Sequence, residues 1–268
     1  MTSRHRRILG ALACMALALV SVKSGAAAIA PVVPRQDVDL ALVLTVDVSR
    51  SIDYAESDLQ RKGLADAFAS TDVVRAIQRG TLGRIGVSVV FFSSHAYGVM
   101  SVPIGWTVIS DQKSAASFAQ AILNSPRESG IGTSISDALE LSRLMLESSP
   151  LRAPKMVIDV SGDGVNNVGR AMLETRDEVL ENGIIINGLP ILGQDTAHDL
   201  EKYFQSCVIG GAGSFVLAAT GFPDFARAIR RKLVLEISGL TPGETEPRLI
   251  KAAAAPTPRK PVPGPLPR

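Results

Sequence analysis

Apolar and polar positions alternate along this chain in two periods. Leu40–Val46 (LALVLTV) is short and almost continuously apolar, the pattern of a strand covered on both faces. The same reading predicts strands over Arg84–Ser93, Lys155–Val160, Gly183–Ile191 and Gly213–Ala219. Tyr97–Ile104 is expected to pair with the second strand as a hairpin across Ser94–Ala96. Helical spacing fills the gaps. Asp53 with Glu56 three residues on reads as a capping box opening a helix to about Ala69. Further helices are predicted over about Gln112–Leu123, after Thr133 with Ile135, Leu139, Ser142 and Leu146 on one stripe, and from about Gly169 to Glu181. The final helix repeats apolar residues at Phe222, Phe225, Ile229, Leu233 and Ile237, a spacing that buries one face against a sheet. Strands alternating with helices predict an α/β fold. It is a three-layer, doubly wound, mostly parallel central sheet with one antiparallel edge hairpin.

The ends read differently from the middle. Arg4, Arg6 and Arg7 form a basic start, Ile8–Val22 is apolar, and Gly25–Ala28 offers small residues for cleavage. That order predicts a signal peptide over 1–28, too short in its apolar part for the roughly 20 residues of a spanning helix. An uncleaved anchor is the alternative. A lipid-bearing Cys14 is disfavoured, because Ala11-Leu12-Ala13 is a poor lead-in and the apolar run continues past the cysteine. Residues 29–37 read as an exposed leader, 38–240 as one domain, and 241–268 as a basic, proline-rich tail that cannot build a core. The expected protein is exported, periplasmic or secreted, with no transmembrane span after cleavage.

Composition adds two constraints. The chain is 46% hydrophobic but only 4% aromatic, so its core must be mainly aliphatic. Removing residues 1–28 takes the formal charge from +2 to −2, and setting the tail aside leaves the body near −5. A mildly acidic body argues against nucleic acid as a partner. Cys207 remains as the single cysteine of the mature chain and reads as a small buried apolar residue, without an internal disulfide.

Candidate chemistry gathers where an open parallel sheet binds ligands, outside the carboxyl ends of its central strands. Asp47, Ser49 and Ser51 stand at alternate positions after the first strand. The loop SGIGTSISDAL brings Thr133 to a helix start after two glycines, and VIDVSGDGVNN sets Asp163 between glycines after a strand. All five donors are oxygens, which suits a hard cation, Mg²⁺ with Ca²⁺ or Mn²⁺ as alternatives, rather than zinc or copper. Ordinary turn bonds by Asp47 and Ser49 and an N-cap by Thr133 are the competing explanation. Asp159, inside the strand before Asp163, reads as a structural or outer group rather than a ligand, and Ser161 as a donor to a metal-bound water. Asn166 and Asn167 read as turn formers or rim residues. His95 and His198 have no triad or zinc spacing and read as surface residues.

The D-x-S-x-S run, the distant threonine after glycines and the Asp-Gly after a strand resemble the metal-ion-dependent adhesion site of von Willebrand factor A domains. The resemblance spans about Val38–Leu240. The phrases VIDVSGDGVNN, GIIINGLPI and VIGGAGSFV are similar to a bacterial secreted branch of these domains, called domain of unknown function 1194. It implies that Ser49, Ser51 and Thr133 offer hydroxyls to the ion and that Asp47 and Asp163 supply charge, partly through waters. It also implies that one coordination position is left for an exposed Asp or Glu of a protein ligand. By the same resemblance the helix over about Phe222–Ile237 is the element that shifts when a ligand docks, with a static domain as the alternative. No catalytic residue is expected. A phosphoester hydrolase using the same ion is the enzymatic alternative, weakened because Ser49 stands where Asp-x-Asp phosphatases place an acid/base carboxylate. A structural domain without ligand switching is the third reading. There is no G-x-x-x-x-G-K-[ST] phosphate loop and no G-x-S-x-G elbow.

Overall fold

The structure, a computed structural model, describes residues 35–242 apart from Tyr97 and residues 194–196. The expected signal peptide, most of the leader and the tail lie outside the described residues, as do Cys14 and the side chain of His198. The central sheet has five strands. β2 (Ala41–Asp47), β3 (Ile85–Phe92), β6 (Met156–Gly162) and β7 (Ile185–Pro190) run parallel, and β4 (Met100–Ile109) closes one edge antiparallel to β3. The order is β4-β3-β2-β6-β7, so the chain reverses its direction of growth between β2 and β6. Two residues read from sequence as leader form β1 (Gln36–Asp37), paired in parallel with β5 (Leu151–Arg152) in a separate small sheet.

Each strand of the parallel core is buried on both faces because helices cover both. On one side α1 (Tyr54–Ala69), α2 (Thr71–Gln78), α3 (Gln112–Asn124) and α7 (Phe222–Ser238) pack Leu64, Phe68, Ile77, Phe118, Phe225, Ile229 and Leu233 against Leu42, Leu44, Val87 and Val89. On the other, α4 (Ile135–Glu147), α5 (Met172–Glu181) and α6 (Ala197–Tyr203) pack Leu139, Val179 and Leu200 against Val43, Val90 and Ile158. The capping box at the start of α1 is present in both directions, Glu56 N to Asp53 Oδ1 and Asp53 N to Glu56 Oε2, each 2.9 Å. All four residues of the predicted α4 stripe are buried.

Several elements differ from the sequence reading. α2 was not predicted. It starts one residue after α1 ends, with Ser70 serving both as the last cap of α1 and as the N-cap of α2. The edge hairpin forms, but β4 starts three residues later than expected and runs on to Ile109. Gly213–Ala219 is not a ladder strand. It lies beside β7 through two isolated parallel bridges, Gly188↔Val216 and Ile191↔Ala219. The Asn187 side chain takes Phe215 N at 2.9 Å, and this side-chain bond stands where regular pairing would run. Cys207 is half-buried rather than fully buried. Among the described residues no helix is long and apolar enough to cross a membrane.

Candidate metal centre

β2 and β6 end side by side at the point where strand order reverses, the expected place for a site in an open α/β sheet. β2 delivers Asp47, fully buried, as its last residue. Asp47 Oδ1 accepts the Ser49 backbone N–H at 2.7 Å, the turn bond anticipated from sequence. Its other oxygen, Oδ2, is buried and accepts no hydrogen bond. Ser49 Oγ lies 3.0 Å from Ser51 Oγ, and Ser51 Oγ donates to Asp163 Oδ1 at 2.8 Å. One continuous chain of oxygens thus runs from the end of β2 to the loop after β6.

Thr133 comes to the same place on the loop before α4. That loop is tied to β2 by a short parallel bridge, Ser49↔Gly130, with Arg50 N donating to Gly130 O at 2.9 Å and Gly130 N to Val48 O at 3.0 Å. A Cβ on Gly130 would sit 2.0 Å from Ser93 Oγ and 2.8 Å from Gly98 Cα, so only glycine lets the loop approach this closely. The N-cap of α4 is Ser134, which accepts from Asp137 N at 3.3 Å, so Thr133 is not occupied as a cap. Its Oγ1 abuts the loop after β6, 3.7 Å from where a Cβ on Gly164 would stand. Gly162 plays the matching role beneath Asp47, since a Cβ there would lie 2.9 Å from Asp47 Oδ2.

Asn166 and Asn167 do more than form a turn. Asn167 Oδ1 accepts Thr133 N at 2.8 Å, Asn167 N donates to Thr133 O at 3.0 Å, and Asn166 Oδ1 accepts Ser136 N at 3.0 Å. They clamp the Thr133 loop to the Asp163 loop. The Asn-Asn pair one residue beyond Asp-Gly was the available signal. Asn167→Ala is expected to weaken divalent-ion affinity about tenfold, the lower end for outer-shell partners, with an unchanged far-UV spectrum. Calorimetric titration checks it, and wild-type affinity in the variant would remove Asn167 from the site.

Asp159 does not take part. Strand alternation turns it to the α7 face, where Lys232 Nζ lies 2.5 Å from its Oδ1. The outer-group option for Asp159 is therefore corrected to a structural one. Ser161 is buried in β6, opposite Val46 in register. His95 is exposed in the turn before β4.

The electrostatics suit a bound cation. Burial pushes the Asp47 carboxyl up to about 7, against the pull of its bonds to Ser49, and the nearby Asp163 raises it further. Burial also raises Asp163, opposed by the Ser51 hydroxyl. Two desolvated carboxylates beside three hydroxyls, with one carboxylate oxygen buried and unpartnered, fit a hard divalent ion held by few direct charges. Among the described residues no cluster of three or more His, Cys, Asp or Glu forms an alternative metal site.

Residues 37–241 match the protein family described as "Protein of unknown function (DUF1194)". No curated protein matches the chain. Among solved structures, it resembles proximal thread matrix protein 1 from the mussel byssus, determined "with zinc occupied MIDAS motif". Identity is 17%, the TM-score is 0.56, and the match covers 76% of this chain and 49% of that one. It also resembles the pilus adhesin SpaC of Lactobacillus rhamnosus GG in its open conformation, at 18% identity and TM-score 0.55 over 76% and 31% of the two chains. A third neighbour is the PilB minor pilin of Streptococcus sanguinis, at 13% identity and TM-score 0.51 over 75% and 63%. The chain thus spans less than two thirds of each of these relatives. At such identities the likeness is one of fold.

Proposed function

The chain belongs to the DUF1194 family and has a von Willebrand factor A-like fold, and we propose that it is a metal-dependent protein-binding module of the cell envelope. The observation that carries this is the buried, unpartnered Asp47 Oδ2 at the head of the oxygen chain through Ser49 and Ser51 to Asp163. Mg²⁺ is the proposed ion. Asp47, Ser49, Ser51, Thr133 and Asp163 would hold it, directly or through water. When bound, the ion supplies an electrophilic position for an Asp or Glu side chain of a partner protein.

The residues of this chain do the positioning. The Ser49–Gly130 bridge and the two asparagines fix three loops at one sheet edge, so the donors are set before any ligand arrives. An occupant at a pre-set site pays less ordering entropy on binding. The neighbours with pilus and adhesin descriptions support a binding role, and the basic, apolar and small-residue order of residues 1–28 supports export to the periplasm or beyond.

Affinity capture from envelope extract, run with Mg²⁺ and with chelator, tests the reading. A partner retained with Mg²⁺, released by chelator and not retained by Asp47→Asn is the expected result. Retention indifferent to chelator sinks the metal-dependent reading, and Mg²⁺-dependent turnover of a generic phosphoester would replace it with a hydrolase.

A further inference from the structure

A groove lies between α2 and α7, lined by residues apart from the five metal-centre donors. The groove there encloses about 550 Å³, within the range of small-ligand sites. Five exposed arginines line it, Arg75 and Arg79 from the α2 side and Arg227, Arg230 and Arg231 from α7. A single carboxylate, Asp72, shares the lining. Arg227 is engaged by Asp224 at 2.6 Å, whereas Arg75, Arg79 and Arg230 have no ion-pair partner among the described residues. The lining also includes Ala76, Val234 and Leu235, so an aliphatic surface lies between the two arginine walls.

This concentration is unfavourable by itself. Arg75 and Arg79 are one helical turn apart, about 6 Å along the axis, and Arg227 and Arg231 repeat that spacing on the facing wall. Like charges at i and i+4 destabilise a helix, and the Arg75–Arg79 pair has no acidic partner among the described residues to offset it, while Arg230 faces it from α7. The body as a whole has the opposite sign, near −5 over residues 29–240. An anion in the groove relieves the repulsion. Guanidinium forks on opposite walls can grip a tetrahedral phosphate from two sides, whereas a planar carboxylate presents its oxygen edge to one fork at a time. We propose that the α2–α7 groove binds ligands carrying clustered phosphate groups, with the aliphatic lining taking an apolar part of the same molecule.

The full chain is tested in EDTA, so that the metal centre is silent. Inorganic pyrophosphate is titrated by calorimetry, and flotation is measured with phosphatidylcholine vesicles with and without phosphatidylglycerol. Binding that weakens with salt and falls at least tenfold in the combined Arg75→Ala, Arg79→Ala, Arg230→Ala variant is expected. The three side chains are exposed, and an unchanged melting midpoint confirms that the variant is folded. Arg230→Glu alone serves as a second, independent disruption. Flotation with the anionic vesicles only identifies a lipid headgroup as the source, and pyrophosphate binding without flotation identifies a soluble ligand. Binding to neither probe, or binding untouched by both variants, overturns the proposal. Polyglutamate binding more tightly than pyrophosphate overturns it in favour of an acidic protein segment.

Discussion

Asp47→Asn is expected to lose Mg²⁺ affinity while making the metal-free protein more stable. Asparagine keeps an oxygen for the Ser49 N–H, so the turn after β2 survives. It removes the charge of a side chain that is fully buried and has one oxygen without any partner. The loss in affinity should reach at least about 100-fold, beyond what outer-shell changes produce. The thermal midpoint without metal should rise by about 5 °C, the scale of a one- to two-kcal/mol gain in a domain this size. The gain depends on pH. The folded carboxyl sits at about 7 against 3.8 when free, so its contribution is intact below pH 4 and is lost as pH rises through 7. The variant should therefore match wild type near pH 4 and exceed it most at pH 8. Calorimetry and melting curves with and without Mg²⁺ check both halves. Equal Mg²⁺ affinity in the variant would place the ion elsewhere.

Lys232→Met should be the most damaging single change away from the metal centre. Lys232 is completely buried on α7 between Asp159 and Glu236, with Nζ 2.5 Å from Asp159 Oδ1 and 2.7 Å from Glu236 Oε1. Asn187 Nδ2 adds a bond to Glu236 Oε1 at 2.6 Å, and Lys155 Nζ reaches Glu236 O at 3.0 Å. Lys232 is thus the cation that meets the Asp159 carboxylate inside the core. Burial, then the charge of Glu236, pushes Asp159 up to about 8 in spite of Lys232. Removing the ammonium leaves two buried acids facing each other, a loss of about 3–5 kcal/mol. A raised folded pKa gives stability that is present below the free value of 3.8 and lost as pH rises through about 8. The variant should thus be hurt less at pH 5, where Asp159 can hold its proton, than at pH 8. Urea unfolding at the two pH values measures it, and an equal loss at both would show that the cluster is not titrating. Combining Lys232→Met with Asp159→Leu and Glu236→Gln should recover most of the loss, since apolar replacement of a whole buried ion cluster is often neutral.

Apolar runs and helical stripes were legible because each buries a face that repeats in sequence, as Ile135, Leu139, Ser142 and Leu146 do on α4. α2 escaped because it is only eight residues long and one residue, Ser70, separates it from α1, although Val73, Val74, Ala76 and Ile77 mark one buried face. The failed strand at Gly213–Ala219 looks apolar enough, but the asparagine that claims its backbone sits on β7. The same limit applies at the candidate site. Asp47, Ser49 and Ser51 announce themselves by alternation. The clamp from Asn167 to Thr133 joins loops far apart in sequence, and nothing local distinguishes it from a turn. Asp159 stayed open between a structural and an outer role for the opposite reason. It is near Asp163 in sequence, yet its partner is on the last helix.

The buried lysine also decides how the domain would bear load. The chain leaves the domain through α7, so tension applied beyond Thr241 pulls along that helix. A slide of one turn, about 5.4 Å, would drag Lys232 away from Asp159, while Glu236 on the same helix would move with it. The aliphatic stripe could re-register, but the ammonium could not. On this packing α7 would act as a latch rather than a piston. Force reaching it would have to break the desolvated Lys232–Asp159 pair before the helix could slide.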